Sequence, residues 1–304
     1  MNNVKYYVAA ISAFFIWGFF SFALKPIDNY QSLDILFYRV FFCTVIMLFL
    51  TLFVRVTVLR ETASFIKTLS SKERWRLILQ TSGAGIFLTA NWFFFIYVVN
   101  HISIKAASFA YVVSPILTTV LAFIFLKEKL LRIQWLAVGL SGLSCLILAL
   151  GDFTHVIYSL VTALSFSLYL ISQPKNKGLD KFLLLTVQII CSAILLAPFY
   201  PRYSSHVSPE FTFFIYITVI AVLFTIIPLF LNLYALKELK SSTLGMLFFI
   251  NPVMNFLVAV LYYHEKITML QCIGYAVILI SVILFNFNWI AGTGKYFAGK
   301  KSLQ

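Results

Sequence analysis

Arg39 is the residue in this sequence whose position most constrains its chemistry. It lies five residues after Asp34 and opens the apolar run VFFCTVIMLFLTLFV (40–54). An arginine inside a membrane helix costs roughly 2.5–3.5 kcal/mol at the bilayer centre on insertion scales, so it turns to a cavity or a partner. The alternative is snorkelling to the outer headgroups, for which Asp34 marks the nearby end of the run. Asp34 and Arg39 sit about 140° apart on a helix, which makes them a poor pair. Facing a cavity, the guanidinium can grip a carboxylate with two parallel hydrogen bonds.

The other candidates are suited to binding and not to bond-making. Asn91, Trp92 and Tyr97 share one apolar run, with Asn100 at its end. A buried amide needs a partner on a neighbouring helix or a substrate. Trp17 stands beside Gly18, and Ser165 and Tyr169 occupy the corresponding region further on. Ser108 and Tyr111 precede Pro115; Phe248 and Asn251 precede Pro252. Pro115, Pro228 and Pro252 each remove a backbone donor and block the carbonyl four residues earlier, which marks them as kink or gate positions.

Several chemistries are excluded. All ten acids fall at run ends or in loops, so no carboxylate marks mid-membrane proton coupling. There is no nucleophile–base pair, HExxH or P-loop, which argues against an intramembrane enzyme or an ATP-driven pump. Cys43, Cys145, Cys191 and Cys272 lie singly in apolar runs, and the four histidines are scattered. Neither a metal nor any cofactor is expected.

The elements that carry these residues follow from composition. Of 304 residues, 62% are hydrophobic and 11% charged, against roughly 25% charged in a soluble domain. Mean hydropathy is +0.96. At roughly 20 residues per span this fills about nine or ten membrane helices. Ten runs are expected, at about 5–25, 33–54, 76–99, 104–126, 132–150, 155–173, 182–199, 211–235, 241–262 and 267–288. Runs such as 121–126 and 277–285 are apolar on every face, which excludes barrel strands. The first run carries only Lys5 before it and no small-x-small site, so it is expected to stay as a span. Ser70 to Glu73 spells a capping box.

With the N-terminus inside, 18 Lys and Arg fall on the cytoplasmic side and 4 on the outer side. This bias predicts an N-in, C-in chain in the cell membrane, and it accounts for the net charge of +13 without nucleic acid. The expected partners are the lipid bilayer and a small-molecule substrate. Gly139, Ser141 and Gly142 allow either close packing within the chain or a homodimer seam.

The two halves repeat. Tyr97 and Tyr234, Pro115 and Pro252, Ala122 and Ala259, Glu128 and Glu265, Gln134 and Gln271, and Ser144 and Ser281 are each 137 residues apart. Five spans per half invert the second half in the membrane, the arrangement of alternating-access transporters. The expected division is 1–150, 151–290 and a tail, 291–304. Glu128 and Glu265 fit helix-end ion pairs with adjacent lysines. A non-transporting scaffold or sensor is the alternative function, and it would predict a long soluble segment. The longest loop expected here is 55–76.

These residues also carry a resemblance. IWG (16–18), ILFYR (35–39), NW (91–92), Ser114–Pro115, FLKEKL (125–130), QWLAV (134–138), ALSFSLYL (163–170), STLG (242–245), Pro252 and Glu265 are similar to the EamA family of drug/metabolite transporters, in its RarD-like branch. The resemblance covers almost the whole chain. It implies an all-α integral membrane fold of ten helices. It also implies a central cavity lined mainly by the first, third, fourth, sixth, eighth and ninth, with the fifth and tenth peripheral. Tyr38 departs from the pattern, since branch members often carry His before the arginine. The implied activity is permeation or export of an amino acid, metabolite or amphipathic drug.

Overall fold

The computed structural model describes residues 4–101, 104–149, 156–173, 179–205, 210–262, 264 and 268–287. Among the described residues the chain is helical and contains no strand. The helices are α1 (Val4–Gly18), α2 (Phe20–Leu24), α3 (Ser32–Phe49), α4 (Val56–Thr68), α5 (Ser71–His101), α6 (Ile104–Leu126), α7 (Arg132–Ala149) and α8 (Val156–Ile171). They continue as α9 (Lys181–Leu196), α10 (Tyr200–Tyr203), α11 (Phe211–Ala221), α12 (Ile227–Ala235), α13 (Ser241–Leu247), α14 (Ile250–Leu261) and α15 (Met269–Phe285). Two π-helical segments, Leu50–Val54 and Val222–Ile226, extend α3 and join α11 to α12.

Ser32–Val54, Ser71–Val98, Lys181–Tyr203, Phe211–Ala235 and Ser241–Val258 are long and apolar enough to cross a membrane. Val4–Gly18 and Phe20–Ile27 qualify together as a pair bent by 44°. Ala110–Leu126, Arg132–Leu148, Ile157–Ile171 and Met269–Phe285 are shorter apolar helices. The chain is therefore of a multi-pass membrane type.

Three expected elements differ in detail. The first run breaks at Gly18–Phe19, where a Cβ on Gly18 would overlap the Cβ of Met254 in α14. The backbone turns where the two helices touch. The ninth run breaks at Phe248–Phe249, between α13 and α14. The 55–76 stretch is not an open loop. It folds as α4, whose Phe65 and Ile66 join Leu69 against Leu77, Leu179 and Leu184. The capping box then starts α5: Glu73 accepts from the Ser70 N–H at 2.9 Å, and the Glu73 N–H donates to Ser70 Oγ at 3.3 Å.

The packing is reciprocal between halves. α6 lies along α8, as α14 lies along α1; α5 packs on α8, as α12 packs on α1; α5 meets α9, as α11 meets α3. Each half thus buries its helices against the other half. α7 and α15 pack together, and their Ala137, Cys145, Ile278 and Phe285 share a core with Val112 of α6, Met246 of α13 and Val253 of α14. A Cβ added at Gly139 or Gly142 would meet nothing within 4 Å, so these glycines do not serve close packing within the chain.

The turns that end α6 and follow α14 share a backbone shape. Lys127 and His264, 137 residues apart, both hold φ at 53°. This is the left-handed region, which costs a residue with a Cβ roughly 1–2 kcal/mol.

Candidate functional site

The centre is built on aromatic rings. Phe248, 1% exposed, sits at the break between α13 and α14. Its ring lies 4.7 Å from Phe166 of α8, 5.2 Å from Phe14 of α1, 5.7 Å from Tyr111 of α6 and 6.0 Å from Trp17 of α1. Tyr111 lies tilted against Phe95 of α5, with ring centroids 5.2 Å apart. Tyr169, fully buried, lies 6.1 Å from Phe166, and its hydroxyl has no hydrogen-bond partner.

Arg39 enters this centre from α3. Its guanidinium carbon stands 4.5 Å from the Trp92 ring centroid, a cation–π contact that keeps the charge turned inward. Its Nε is sealed from solvent and has no hydrogen-bond partner. Tyr111 is within electrostatic range of the guanidinium. Among the described residues the ion pairs are Lys25–Asp28 and Arg55–Asp180, so Arg39 faces no carboxylate there. Buried guanidinium N–H groups normally find an acceptor, and here the chain supplies none to Nε.

The prolines shape the same region in three ways. α6 continues through Pro115, while the chain breaks just before Pro252. Ser167 Oγ of α8 donates to the Ser114 carbonyl at 3.2 Å, and Thr119 Oγ1 donates to the Pro115 carbonyl at 2.9 Å. Gly245 of α13 approaches so near that an added Cβ would lie 2.8 Å from Thr118. Pro228 follows the Val222–Ile226 π segment and has no N–H for the Phe224 carbonyl. Trp17 Nε1–H donates to that carbonyl at 2.7 Å. In the same segment Thr225 Oγ1 donates to the Ile220 carbonyl at 2.9 Å, and Cys43 Sγ lies 3.5 Å from the Ala221 carbonyl.

The structure brings together Trp17, Arg39, Trp92, Tyr111, Tyr169 and Phe248 from the expected set. It uses the amides differently. Asn91 Nδ2 donates to the Thr162 carbonyl at 3.0 Å, pinning α5 to α8. Asn251 Oδ1 accepts from Asn255 Nδ2 at 2.9 Å within α14. Tyr97 is 39% exposed, away from the aromatic centre, with Phe93 and Tyr158 as ring neighbours. The side chains of Ser108 and Asn100, together with Glu265 and the 291–304 tail, lie outside the described residues. Phe14 and Phe95 complete the centre without a sequence signal, being two among 33 phenylalanines, and Phe166 joins them from within the ALSFSLYL stretch (163–170). Asn232 of α12 was also silent in the sequence. It is 1% exposed, and both ends of its amide lack a partner.

Carboxylates tie the helix ends. Glu128 does not pair with its neighbouring lysines. It accepts from the Ser241 N–H at 2.9 Å, the Ser242 N–H at 3.0 Å and Ser242 Oγ at 2.7 Å, capping α13. An acceptor for the free N–H groups of a helix start also suits the helix dipole. Asp34, at the start of α3, is buried and accepts from the N–H and hydroxyl of Ser205, beyond α9. Asp180, at the start of α9, accepts from Arg55 beyond α3 at 3.3 and 3.2 Å, and also from Phe182 and Leu183 N–H at 3.0 Å. The start of each helix grips the end of the other.

A model of the EamA-like transporter family matches residues 4–150 and again 153–287. The chain is 30% identical over 283 residues to the uncharacterized transporter YojE of Bacillus subtilis, spanning 91% of this chain and 92% of that protein. It is 29% identical over 279 residues to protein RarD of Escherichia coli K12, spanning 91% and 92% respectively. A solved crystal structure superposes with a TM-score of 0.73 at 13% identity, over 94% of this chain and 99% of the other, which shows a shared fold alone.

Proposed function

Because the chain belongs to the EamA-like transporter family, we propose that it is a secondary transporter moving a small organic anion or zwitterion by alternating access. In this reading ten spans form two inverted five-helix repeats in the cell membrane, with both termini inside and no enzymatic step. The family match supports the transporter class. The 18-to-4 distribution of Lys and Arg supports the orientation.

The observation that carries the substrate class is Arg39. It is a cation stacked on Trp92, with a sealed and unpaired Nε, in an aromatic centre where no described carboxylate meets it. A low-dielectric site of one sign favours solutes of the other. The rings around Phe248 supply apolar contact for the body of the solute.

The test is counterflow in proteoliposomes, screened over amino acids, aromatic and aliphatic carboxylates, and cationic drugs. Exchange of carboxylate-bearing solutes is expected. A substrate set made only of cations would overturn the proposal.

A further inference from the structure

An apolar cavity of about 470 Å³ lies away from the aromatic centre, between α3, the start of α9 and the α11–α12 rod. Ile46, Leu50, Phe182, Ile226, Ile227 and Phe230 are among its walls. The residues beside those walls, Phe49, Phe53 and Leu223, are 56%, 71% and 41% exposed, so the cavity opens sideways where the bilayer would lie. Its lining on the rod runs from Val222 to Leu231, about 14 Å at 1.5 Å per residue. That is close to half of the ~30 Å hydrocarbon thickness, the depth of one leaflet.

The groove is charged at one end only. Arg55 closes it, holding Asp180 at 3.2 Å and lying 5.0 Å over the Phe182 ring. Lys181 is within electrostatic range of both Asp180 and Lys237. Arg55 and exposed Lys237 form the open rim, with Lys181 buried behind them at 5% exposure, three cations to the two carboxylates Asp180 and Glu238. An apolar slot one leaflet deep with a basic rim matches one molecule in a membrane: a phospholipid with an anionic head.

We infer that this groove seats one acyl chain of an anionic phospholipid, whose phosphate rests on the Arg55–Lys237 rim. The Arg55–Asp180 pair holds the guanidinium at the mouth. Basic pockets between membrane helices select anionic headgroups in this way. The inference concerns a site apart from the substrate centre and needs no transport to be tested.

The experiment is native mass spectrometry of the delipidated protein with equal amounts of dioleoylphosphatidylglycerol and dioleoylphosphatidylcholine. One phosphatidylglycerol adduct should be retained, with a preference of about fivefold for each cation engaged. Lys237→Gln should lower that preference. Ile227→Trp, which fills the groove, should remove the adduct of either lipid. If that variant does not fold, Ile46→Phe narrows the same slot and reads the same question. Millimolar glycerol phosphate should leave the adduct in place, because the chain and not the phosphate alone confers binding. Equal retention of the two lipids would overturn the inference. So would an adduct indifferent to the groove-filling variant, or one displaced by glycerol phosphate.

Discussion

Trp17 and Phe224 are joined across 207 residues by a single hydrogen bond, indole N–H to carbonyl, at 2.7 Å. The acceptor is the carbonyl four residues before Pro228, where an α-helix would need a donor that proline lacks. A tryptophan that reads in the sequence as a substrate contact thus also holds a broken stretch of the facing helix. π segments recur at functional sites because they release backbone groups in this manner.

Trp17→Phe should keep the ring packing on Phe248 but strand the Phe224 carbonyl. A buried, unpaired acceptor costs about 1–3 kcal/mol. The midpoint of thermal unfolding in detergent should fall. In a Pro228→Ala background, where residue 228 regains its N–H, the same substitution should cost less, since contacting sites couple. An equal loss in both backgrounds would sever the link between Trp17 and Pro228.

Arg39→Lys and Arg39→Gln separate a substrate grip from an anchor. Lysine keeps the charge but not the fork. Apparent affinity for a carboxylate solute in counterflow should drop with Lys and drop further with Gln, at unchanged membrane level. An Arg39→Lys variant with parental affinity would remove Arg39 from the binding site.

Pro115 and Pro252 should differ when replaced. Pro252→Ala restores a donor beside the break at Phe248–Phe249, favours a continuous helix and should slow exchange. Pro115→Ala lies in a helix already continuous, so it should change exchange less. Two variants transporting at the parental rate would make both prolines static packing features.

Orientation is accessible to thiol labelling in a background with Cys191 and Cys272 replaced by serine. Ser204→Cys should react with an impermeant reagent added to intact cells. Ser64→Cys, on an exposed face of α4, should react only after permeabilisation. The reverse pattern would invert the chain in the membrane.

The apolar helices, the 137-residue repeat and the inward turn of Arg39 were legible in the sequence, because hydropathy and a lone charge are local signals. The sequence hid whatever depends on a partner far along the chain. The break at Gly18–Phe19 and the π turn at Val222–Ile226 lie where Gly18 meets Met254 and Trp17 meets Phe224, and neither contact leaves a mark in a window of one helix. α4 was hidden because its apolar stripe is short and broken by Arg60, Glu61 and Lys67, so average hydropathy passes over it. Glu128 looked like a partner for its neighbouring lysines because its true partners, Ser241 and Ser242, are 113 and 114 residues away.

One feature of the two proline helices reaches past the resting shape. The same motif, repeated at a spacing of 137, exists here in both of its forms at once: unbroken through Pro115 and interrupted before Pro252. In the alternating-access reading proposed above, the halves would trade these forms, and each half carries the other's template. Such a trade would need no refolding, only that α6 yield where α13 and α14 now do and that the latter straighten. The preference between the two facings would then be set by residues that spoil the internal likeness. Gly245 against Thr118, and Gly18 against Met254, are places where evolution could tip that balance without touching a single group that meets the solute.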